Sequence, residues 1–339
     1  MHRSEITIDL GALRRNTRRM RAVLGDAELW AVVKADGYGH GAVDVAAAVL
    51  REGAGALCVA TVAEALELRA PFPDARILVM GPSVGPEVEA AREARLELTV
   101  SGGDIPADVP VHLKLDTGMG RWGLAQLPEF SAEVVGLMSH LATADSDPDF
   151  AREQLRRFEE ATRHYSHLVR HAANSAAALR LPESRLDAAR CGIALYGLSP
   201  FGGHPGDDGL EPVLRWTSHL AQVKQLGAGE STGYGRRYVA GEATQIGIVP
   251  VGYADGFRRD MTGTEVMIEG ERRRVVGTIS MDALAVELPG PLPVGTPVSL
   301  IGDGVLAEEH AARADTINYE IVSQIDSRPG RAQRTVVDA

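Results

Sequence analysis

The chain predicts an α/β fold: an N-terminal (β/α)8 barrel of TIM type followed by a mostly-β domain. Three observations carry this. Over the first two-thirds, eight short apolar runs of β type alternate with amphipathic helical stretches. No Gly-x-Gly-x-x-Gly follows an early strand, which argues against the rival doubly wound sheet. After a Gly-, Pro- and Asp-rich stretch at residues 200–209, the pattern changes to short alternating strands between glycine turns. A barrel domain of residues 1–215 and a β domain of residues 216–339 follow.

The elements come in order. Leu10, Leu13, Met20 and Leu24 mark one face of an opening helix. Strands are predicted at Leu29–Val33, Ala56–Ala60, Ile77–Met80, Glu97–Val100, Val111–Leu115, Val134–Ser139, His167–His171 and Arg185–Ala189. Helical patterns at Asp44–Arg51, Val62–Arg69, Pro86–Arg95 and Phe150–Tyr165 separate most of them. The second domain predicts strands at Ser218–Gln225, Thr244–Val251, Glu265–Ile268, Arg273–Ser280, Leu284–Glu287 and Pro297–Ile301, and one helix at Leu306–Ala314.

Composition bounds the function. Of 339 residues, 45% are apolar and 24% charged, enough to bury a core. A net charge of −11 argues against nucleic acid or an anionic membrane as partner, while local Arg and Lys can still receive an anionic substrate. Cys58 and Cys191 lie in apolar stretches and read as buried free thiols. The start of the chain lacks an apolar signal-peptide core and no run is long enough to cross a bilayer, so a cytoplasmic protein is expected. No metal site is expected.

The most informative residue is Lys34, directly after the apolar run Leu29–Val33 and before a Gly-, Asp- and Tyr-rich segment containing Tyr38. A lysine leaving an apolar strand loses solvation, which lowers its pKa and frees its lone pair for attack on a carbonyl. That chemistry suggests pyridoxal phosphate, with a flexible loop closing on a small ligand. In a (β/α)8 barrel the chemistry sits at the C-terminal strand ends. There the sequence places Lys34, Lys114, His140, His171 and Arg190, with Asn174 and Ser175 opening a helix and Gly192 just beyond. Ser175, Gly192 and Ile193 are suited to cradle a phosphate. An arginine such as Arg190 at a pyridine nitrogen keeps its own proton, leaving the ring a weak electron sink suited to proton removal and return at one carbon. Inversion at that carbon needs a second base on the opposite face. Tyr234, between two glycines, is the candidate, and His140 with Arg190 can supply its cationic or hydrogen-bonding neighbours. Tyr253, Met281 and Tyr319 are further candidates to line a site for a small side chain.

These motifs resemble those of bacterial alanine racemases, enzymes with pyridoxal phosphate on a (β/α)8 barrel. The resemblance runs over essentially the whole chain. It rests on 33–41, 114–123, 139–145, 173–175, 190–197, 233–235, 252–256, 280–282 and 317–320, in the family's order. It implies that Lys34 holds the cofactor and acts as base on D-alanine, and that Tyr234 acts as base on L-alanine. It implies that Arg121 and the Met281 backbone bind the substrate carboxylate, with Tyr253 near the substrate. Tyr38, Ser175, Gly192, Ile193 and Tyr319 would hold the phosphate, next to Asn174. Arg190 would meet the pyridine nitrogen and His140 would link it toward Tyr234. Lys114 matches a lysine often carbamylated in the family, whose anion orients Arg121. The resemblance also implies a head-to-tail homodimer in which Tyr234 and Met281 reach the partner's barrel, and a role in supplying D-alanine for peptidoglycan. Ser280 stands where many relatives carry Cys, and the tail 326–331 departs from the usual ending.

Other readings remain at this point. A racemase of wider scope, acting on serine or a basic amino acid, is opposed by the bulky Tyr253, Met281 and Tyr319. An amino-acid decarboxylase of the same barrel-plus-β design differs most at the Tyr234 segment. A cofactor-carrying barrel without turnover would have no use for residues 216–339.

Overall fold

The computed structural model describes residues 2–130 and 133–339. They form two compact units: residues 13–201 with 206–211, and the N-terminal segment up to Ala12 with 202–205 and 212–339. The first strand, β1 (Glu5–Asp9), belongs to the latter. Helix α1 (Leu10–Leu24) follows it, burying Leu13, Met20 and Leu24 as the periodicity predicts.

The larger unit is the predicted barrel. Its strands are β2 (Glu28–Val32), β3 (Ala56–Val59), β4 (Ile77–Val79), β5 (Glu97–Val100), β6 (Val111–Lys114), β7 (Val134–Met138), β8 (Val169–His171) and β9 (Ala188–Cys191). All pair in parallel in the order β8-β7-β6-β5-β4-β3-β2-β9. The ends approach through Asp187 N–H to Arg170 O (3.1 Å) and Arg190 N–H to Ala173 O (3.0 Å). Helices α2 (Ala42–Arg51), α3 (Val62–Arg69), α4 (Pro86–Glu93), α5 (Pro148–Thr162) and α6 (Ser175–Arg180) fill the crossovers. Three of the five starts are capped by side chains: Thr61 and Glu64 form a reciprocal capping box on α3, Asp147 caps α5 ahead of Pro148, and Asn174 caps α6.

The eighth barrel strand differs from expectation. It runs Ala188–Cys191, not Arg185–Ala189, because Leu186 adopts a left-handed φ of 46° that ends any extended run before it. Arg190, expected at the C-terminal end of this strand, lies there as its penultimate residue. Cys58 and Cys191 are free and buried, and burial pushes both thiols up to about 12.

The smaller unit is mostly β. Its strands are β10 (Leu214–His219), β11 (Gln222–Leu226), the two-residue pair β12 (Ser231–Thr232) and β13 (Tyr238–Val239), β14 (Thr244–Val249), β15 (Glu265–Ile268), β16 (Glu271–Val276), β17 (Leu284–Leu288), β18 (Pro297–Ile301) and β19 (Gln333–Val337). Nine of the unit's strands form a sheet ordered β11-β14-β17-β16-β15-β18-β10-β1-β19. The single strand expected at Ser218–Gln225 is two strands. Between them Leu220 N–H bonds Thr296 O and Ala221 N–H bonds Ile248 O, so the chain changes partner there. Helices α7 (Ala307–Arg313) and α8 (Asn318–Ser323) complete the unit. Its core stacks Trp216, Phe257 and His310, with ring centres 5.9 and 5.5 Å apart. Among the described residues no helix is long and apolar enough to cross a membrane.

Candidate active site

The lysine motif does not form a flexible loop. Ala35, Asp36, Gly37 and Tyr38 are four consecutive residues in the left-handed region, with φ between 50° and 59°. Three of them carry a Cβ, at about 1–2 kcal/mol of strain each. Long-range bonds hold the turn. Glu64 accepts the Ala35 N–H at 2.8 Å and the Ala60 N–H at 2.7 Å, and Asp36 accepts the Ala42 N–H at 2.8 Å. Tyr38 is buried, its ring 4.8 Å from that of Tyr196, whose hydroxyl donates to Val32 O at 2.9 Å. Backbone strain of this kind persists only where surroundings over-determine it. Here it fixes Lys34 and Tyr38 relative to the end of β2.

Lys34 lies among cations. Burial first, then Arg121 and Arg190, lower its pKa, against the opposing carboxylate of Glu64. Lys114, at the end of β6, is brought down to about 8 by burial, Arg190 and Arg121. Arg121 sits on the loop after β6, where Asp116 accepts the N–H groups of Gly118, Met119 and Gly120. Lys114 and Arg121 both lie over the Trp122 ring, 5.7 and 5.3 Å from its centre. Four cations converging on one mouth suit a ligand with more than one negative charge.

Arg190 is buried in the barrel. Its Nη1 donates to His171 Nδ1 (2.6 Å) and His171 O (3.0 Å); its Nη2 donates to Ser139 O (2.7 Å) and His140 Nδ1 (3.3 Å). Among the described residues no carboxylate forms an ion pair with it. Burial lowers the guanidinium to about 10, so it stays charged at neutral pH. Burial and then Arg190 hold His140 well below its usual range, so this imidazole is neutral.

Asn174, not Ser175, caps α6: its side chain accepts the Ala177 N–H at 3.0 Å. The Ser175 hydroxyl instead meets the Gly192 N–H at 3.0 Å and the Ala194 N–H at 3.5 Å. A Cβ on Gly192 would fall 2.5 Å from Tyr38 Oη, so only glycine lets the phenol come this close. Tyr38, Ser175, Gly192 and Ile193 thus form a cradle of hydroxyl and N–H groups able to hold a phosphate. A buried guanidinium without an acidic partner is matched to a neutral aromatic nitrogen. The donor set fits pyridoxal phosphate.

The remaining sequence-predicted residues lie in the smaller unit. Tyr234 sits in the loop joining β12 to β13, flanked by Gly233 and Gly235 at φ of 77° and 72°, and its side chain is 72% exposed. Thr278 donates to its carbonyl at 2.8 Å. The Tyr253 N–H bonds Ser280 O and the Ala254 N–H bonds Met281 O, both at 3.0 Å. Tyr234, Tyr253 and Met281 therefore hang from one segment, residues 277–281. Tyr319, half-buried on α8, is next to Glu320, which pairs with Arg258 beyond the Tyr253 turn. Sequence reasoning missed the residues that brace this region. Buried Asp255 accepts the Gly252 N–H (2.9 Å), Arg3 (2.9 Å) and Arg331 (3.4 Å), and Arg331 also pairs with Asp282 (2.6 Å).

Two family models match: the alanine racemase N-terminal domain over residues 8–200 and the alanine racemase C-terminal domain over residues 213–333. The chain is 39% identical to an alanine racemase of Streptococcus gordonii, over 98% of each protein. Among solved structures, alanine racemase from the D-cycloserine producing Streptomyces lavendulae superposes with a TM-score of 0.91 at 35% identity, covering 100% of this chain and 98% of that one. Alanine racemase from Bacillus anthracis with bound L-Ala-P superposes with a TM-score of 0.87 at 33% identity, covering 99% and 95%.

Proposed function

The chain belongs to the alanine racemase family, and from that premise we propose that it interconverts L-alanine and D-alanine on pyridoxal phosphate with two bases, Lys34 and Tyr234. The observation that carries this is the half-buried Lys34, fixed by a strained left-handed turn in the same unit as the Tyr38–Ser175–Gly192 cluster and a buried Arg190. Pyridoxal phosphate, when bound, supplies an electron sink for the pair left at Cα. Lys34, Tyr38, Ser175, Gly192, Ile193 and Tyr319 would hold it, with Asn174 shaping the turn into Ser175. Arg190 keeps its own protons and leaves the pyridine nitrogen unprotonated, which favours return of the proton to Cα over its loss elsewhere.

Arg121 and the Met281 backbone bind the substrate carboxylate. Lys34 Nζ takes or returns the Cα proton on the D face, and Tyr234 Oη does so on the L face. Neutral His140 accepts from Arg190 through Nδ1 and extends its hydrogen bonding toward Tyr234. Carbamylation of Lys114 would place an anion beside Arg121 and hold that guanidinium for the carboxylate. Tyr253, Met281 and Tyr319 restrict the side chain to methyl size. The exposure of Tyr234 and Met281, 72% and 51%, supports a head-to-tail homodimer in which each barrel receives them from the other copy. The enzyme works in the cytoplasm and supplies D-alanine for peptidoglycan.

Chiral analysis after incubating the cofactor-loaded protein with single-enantiomer amino acids tests the proposal. Both alanine enantiomers should converge on a racemic mixture, with serine and lysine turned over far more slowly. Comparable rates on serine or lysine would refute the alanine assignment, and carbon dioxide release would refute racemisation altogether.

A further inference from the structure

Arg190 is one end of a buried hydrogen-bonded chain across the barrel. From its Nη1 the chain passes to His171 Nδ1 (2.6 Å), from His171 Nε2 to His112 Nδ1 (2.8 Å), and from His112 Nε2 to Glu97 Oε2 (2.9 Å). Arg76 closes it on Glu97 Oε1 at 2.6 Å. Four strands contribute: β5, β6, β8 and β9. Both imidazoles are fully buried. The fold makes room for them at particular cost. A Cβ on Gly136 of β7 would fall 2.2 Å from His112 Nδ1, so the neighbouring strand carries glycine there. Buried Trp30 packs against the chain, its ring centre 4.5 Å from that of His171 and 5.6 Å from that of His112, with Arg76 over its face at 4.5 Å. Its own N–H goes to Glu28 at 2.7 Å, so it does not compete for the chain's acceptors.

The direction of every bond follows from the two ends. A guanidinium only donates, so His171 Nδ1 accepts. A neutral imidazole has one N–H, so His171 Nε2 must donate to His112 Nδ1. His112 Nε2 must then donate to Glu97, and a carboxylate only accepts. Both ends demand the same polarity. Burial opposes ionisation of Glu97, but hydrogen bonds from His112 and Arg76 outweigh it and hold the carboxyl below its usual range. Burial, then Arg190, keeps His171 neutral.

We propose that Glu97 is a positioning residue for Arg190: its carboxylate fixes His112 and His171 as Nε2–H tautomers and through them clamps the Nη1 corner of the guanidinium. This rests on the reading that Arg190 faces the cofactor's ring nitrogen. A carboxylate in contact with Arg190 would occupy the donors the cofactor needs. An acceptor relayed through two imidazoles holds the Nη1 corner without placing a carboxylate on the guanidinium; with Nη2 held by Ser139 O and His140 Nδ1, the Nε–H is the donor left for the cofactor.

The test is the ¹⁵N spectrum of the two imidazoles in the cofactor-free full chain, assigned with His112→Gln and His171→Gln. Both should be neutral, protonated at Nε2 and bare at Nδ1, between pH 6 and 8. An Nδ1–H tautomer or a cation at either one overturns the proposal without any Glu97 variant. In Glu97→Gln the Arg190 end still requires His112 Nε2 to donate, now to a neutral amide oxygen, so the tautomer should be kept while the His112 Nε2 and Hε2 resonances shift with the weakened bond. In the loaded enzyme kcat should then fall by about tenfold to a hundredfold, with KM for alanine little changed. Glu97→Asp, which still accepts, should recover much of the loss. Unmoved resonances in Glu97→Gln, or Asp no better than Gln, overturn it. Arg190→Lys separates the underlying reading: if its cofactor spectrum and affinity match the unaltered enzyme, Arg190 does not face the ring nitrogen, while the tautomer result stands.

Discussion

The barrel unit and the β unit carry their functional side chains in opposite ways. In the barrel, exposed Arg121 apart, they are wholly or partly sunk: Arg190 makes several hydrogen bonds, Tyr38 is wedged against Gly192, and a carboxylate 29 residues away pins the lysine turn. In the β unit the backbone is equally well held, yet the side chains of Tyr234, Tyr253 and Met281 stand in solvent, and only Tyr319 is half-buried. Tyr234 is 72% exposed, although its carbonyl is fixed by Thr278. The barrel groups are therefore organised before any ligand arrives, whereas the β unit holds its backbone and leaves Tyr234 and Met281 in solvent, as the proposed homodimer requires.

The largest expected effect lies on the barrel side. Lys34→Ala should abolish retention of pyridoxal phosphate on desalting and lower racemisation by about 10⁴-fold or more. The fold should persist, because removing a partly buried ammonium among cations relieves a penalty. A thermal melt checks this, and a collapsed melt would mean that Lys34 is structural.

Next is the exposed side. Tyr234→Phe should lower L-to-D turnover by about 10²- to 10⁴-fold and leave stability within about 0.5 kcal/mol, as expected for an exposed site. Exchange of the Cα hydrogen of D-alanine with D₂O, which needs Lys34 alone, should survive. If exchange and racemisation fall together, the two faces are not served by two separate bases and the contrast between the units loses its chemical meaning.

Much of this was legible in the sequence, for identifiable reasons. The barrel strands show as apolar runs because parallel strands are buried on both faces, and Lys34, Lys114 and His140 were placed at strand ends by counting from those runs. The left-handed turn at residues 35–38 was not legible. Ala35 and Asp36 give no local sign of it, and the bond that enforces it comes from Glu64. The start of the eighth barrel strand is not legible either, because the left-handed φ of Leu186 cannot be read from a leucine. Strands β1 and β19 escaped notice because each pairs with a segment hundreds of residues away and is half polar. Glu97 and His112 looked like ordinary strand residues, since only the barrel's closure brings them into line with Arg190.

A smaller effect tests how strongly the barrel mouth is charged. With its pKa at about 8, Lys114 is about 1% neutral at pH 6 and about half neutral at pH 8. Carbamate formation needs the neutral amine, so uptake of ¹³CO₂ at fixed dissolved CO₂ should rise steeply across that window and vanish in Lys114→Met. An ordinary exposed lysine, with a pKa of 10.4, would take up far less at both values. The same shift affects stability. The unmodified folded chain binds its Lys114 proton more weakly than the unfolded one, so the penalty is present in full below about 8. It is relieved as pH rises from there toward the unfolded value. In CO₂-free buffer, Lys114→Met should therefore gain most stability over the unaltered protein near neutrality and progressively less toward pH 10.

The smallest effect concerns the C-terminal tail. Its backbone is integrated: β19 pairs in parallel with β1 from Glu5 opposite Gln333 to Asp9 opposite Val337. Arg331, just before that strand, reaches both Asp282 and the buried Asp255. Asp255 holds the Gly252 N–H, and a Cβ on Gly252 would lie 2.5 Å from Met281 O, so these groups share one tight corner. Arg331→Ala leaves Asp255 its bond to Arg3, so the corner should loosen rather than break. If the Met281 backbone binds the substrate carboxylate, KM for alanine should rise a few-fold with kcat nearly unchanged. Restoring the charge with Arg331→Lys should recover most of it, since both carboxylates meet a single nitrogen, Nη1, whose place one ammonium can take. An unchanged KM in Arg331→Ala would show that the mount tolerates the loss, and that the precision of the β unit lies in the Gly252–Asp255 turn itself.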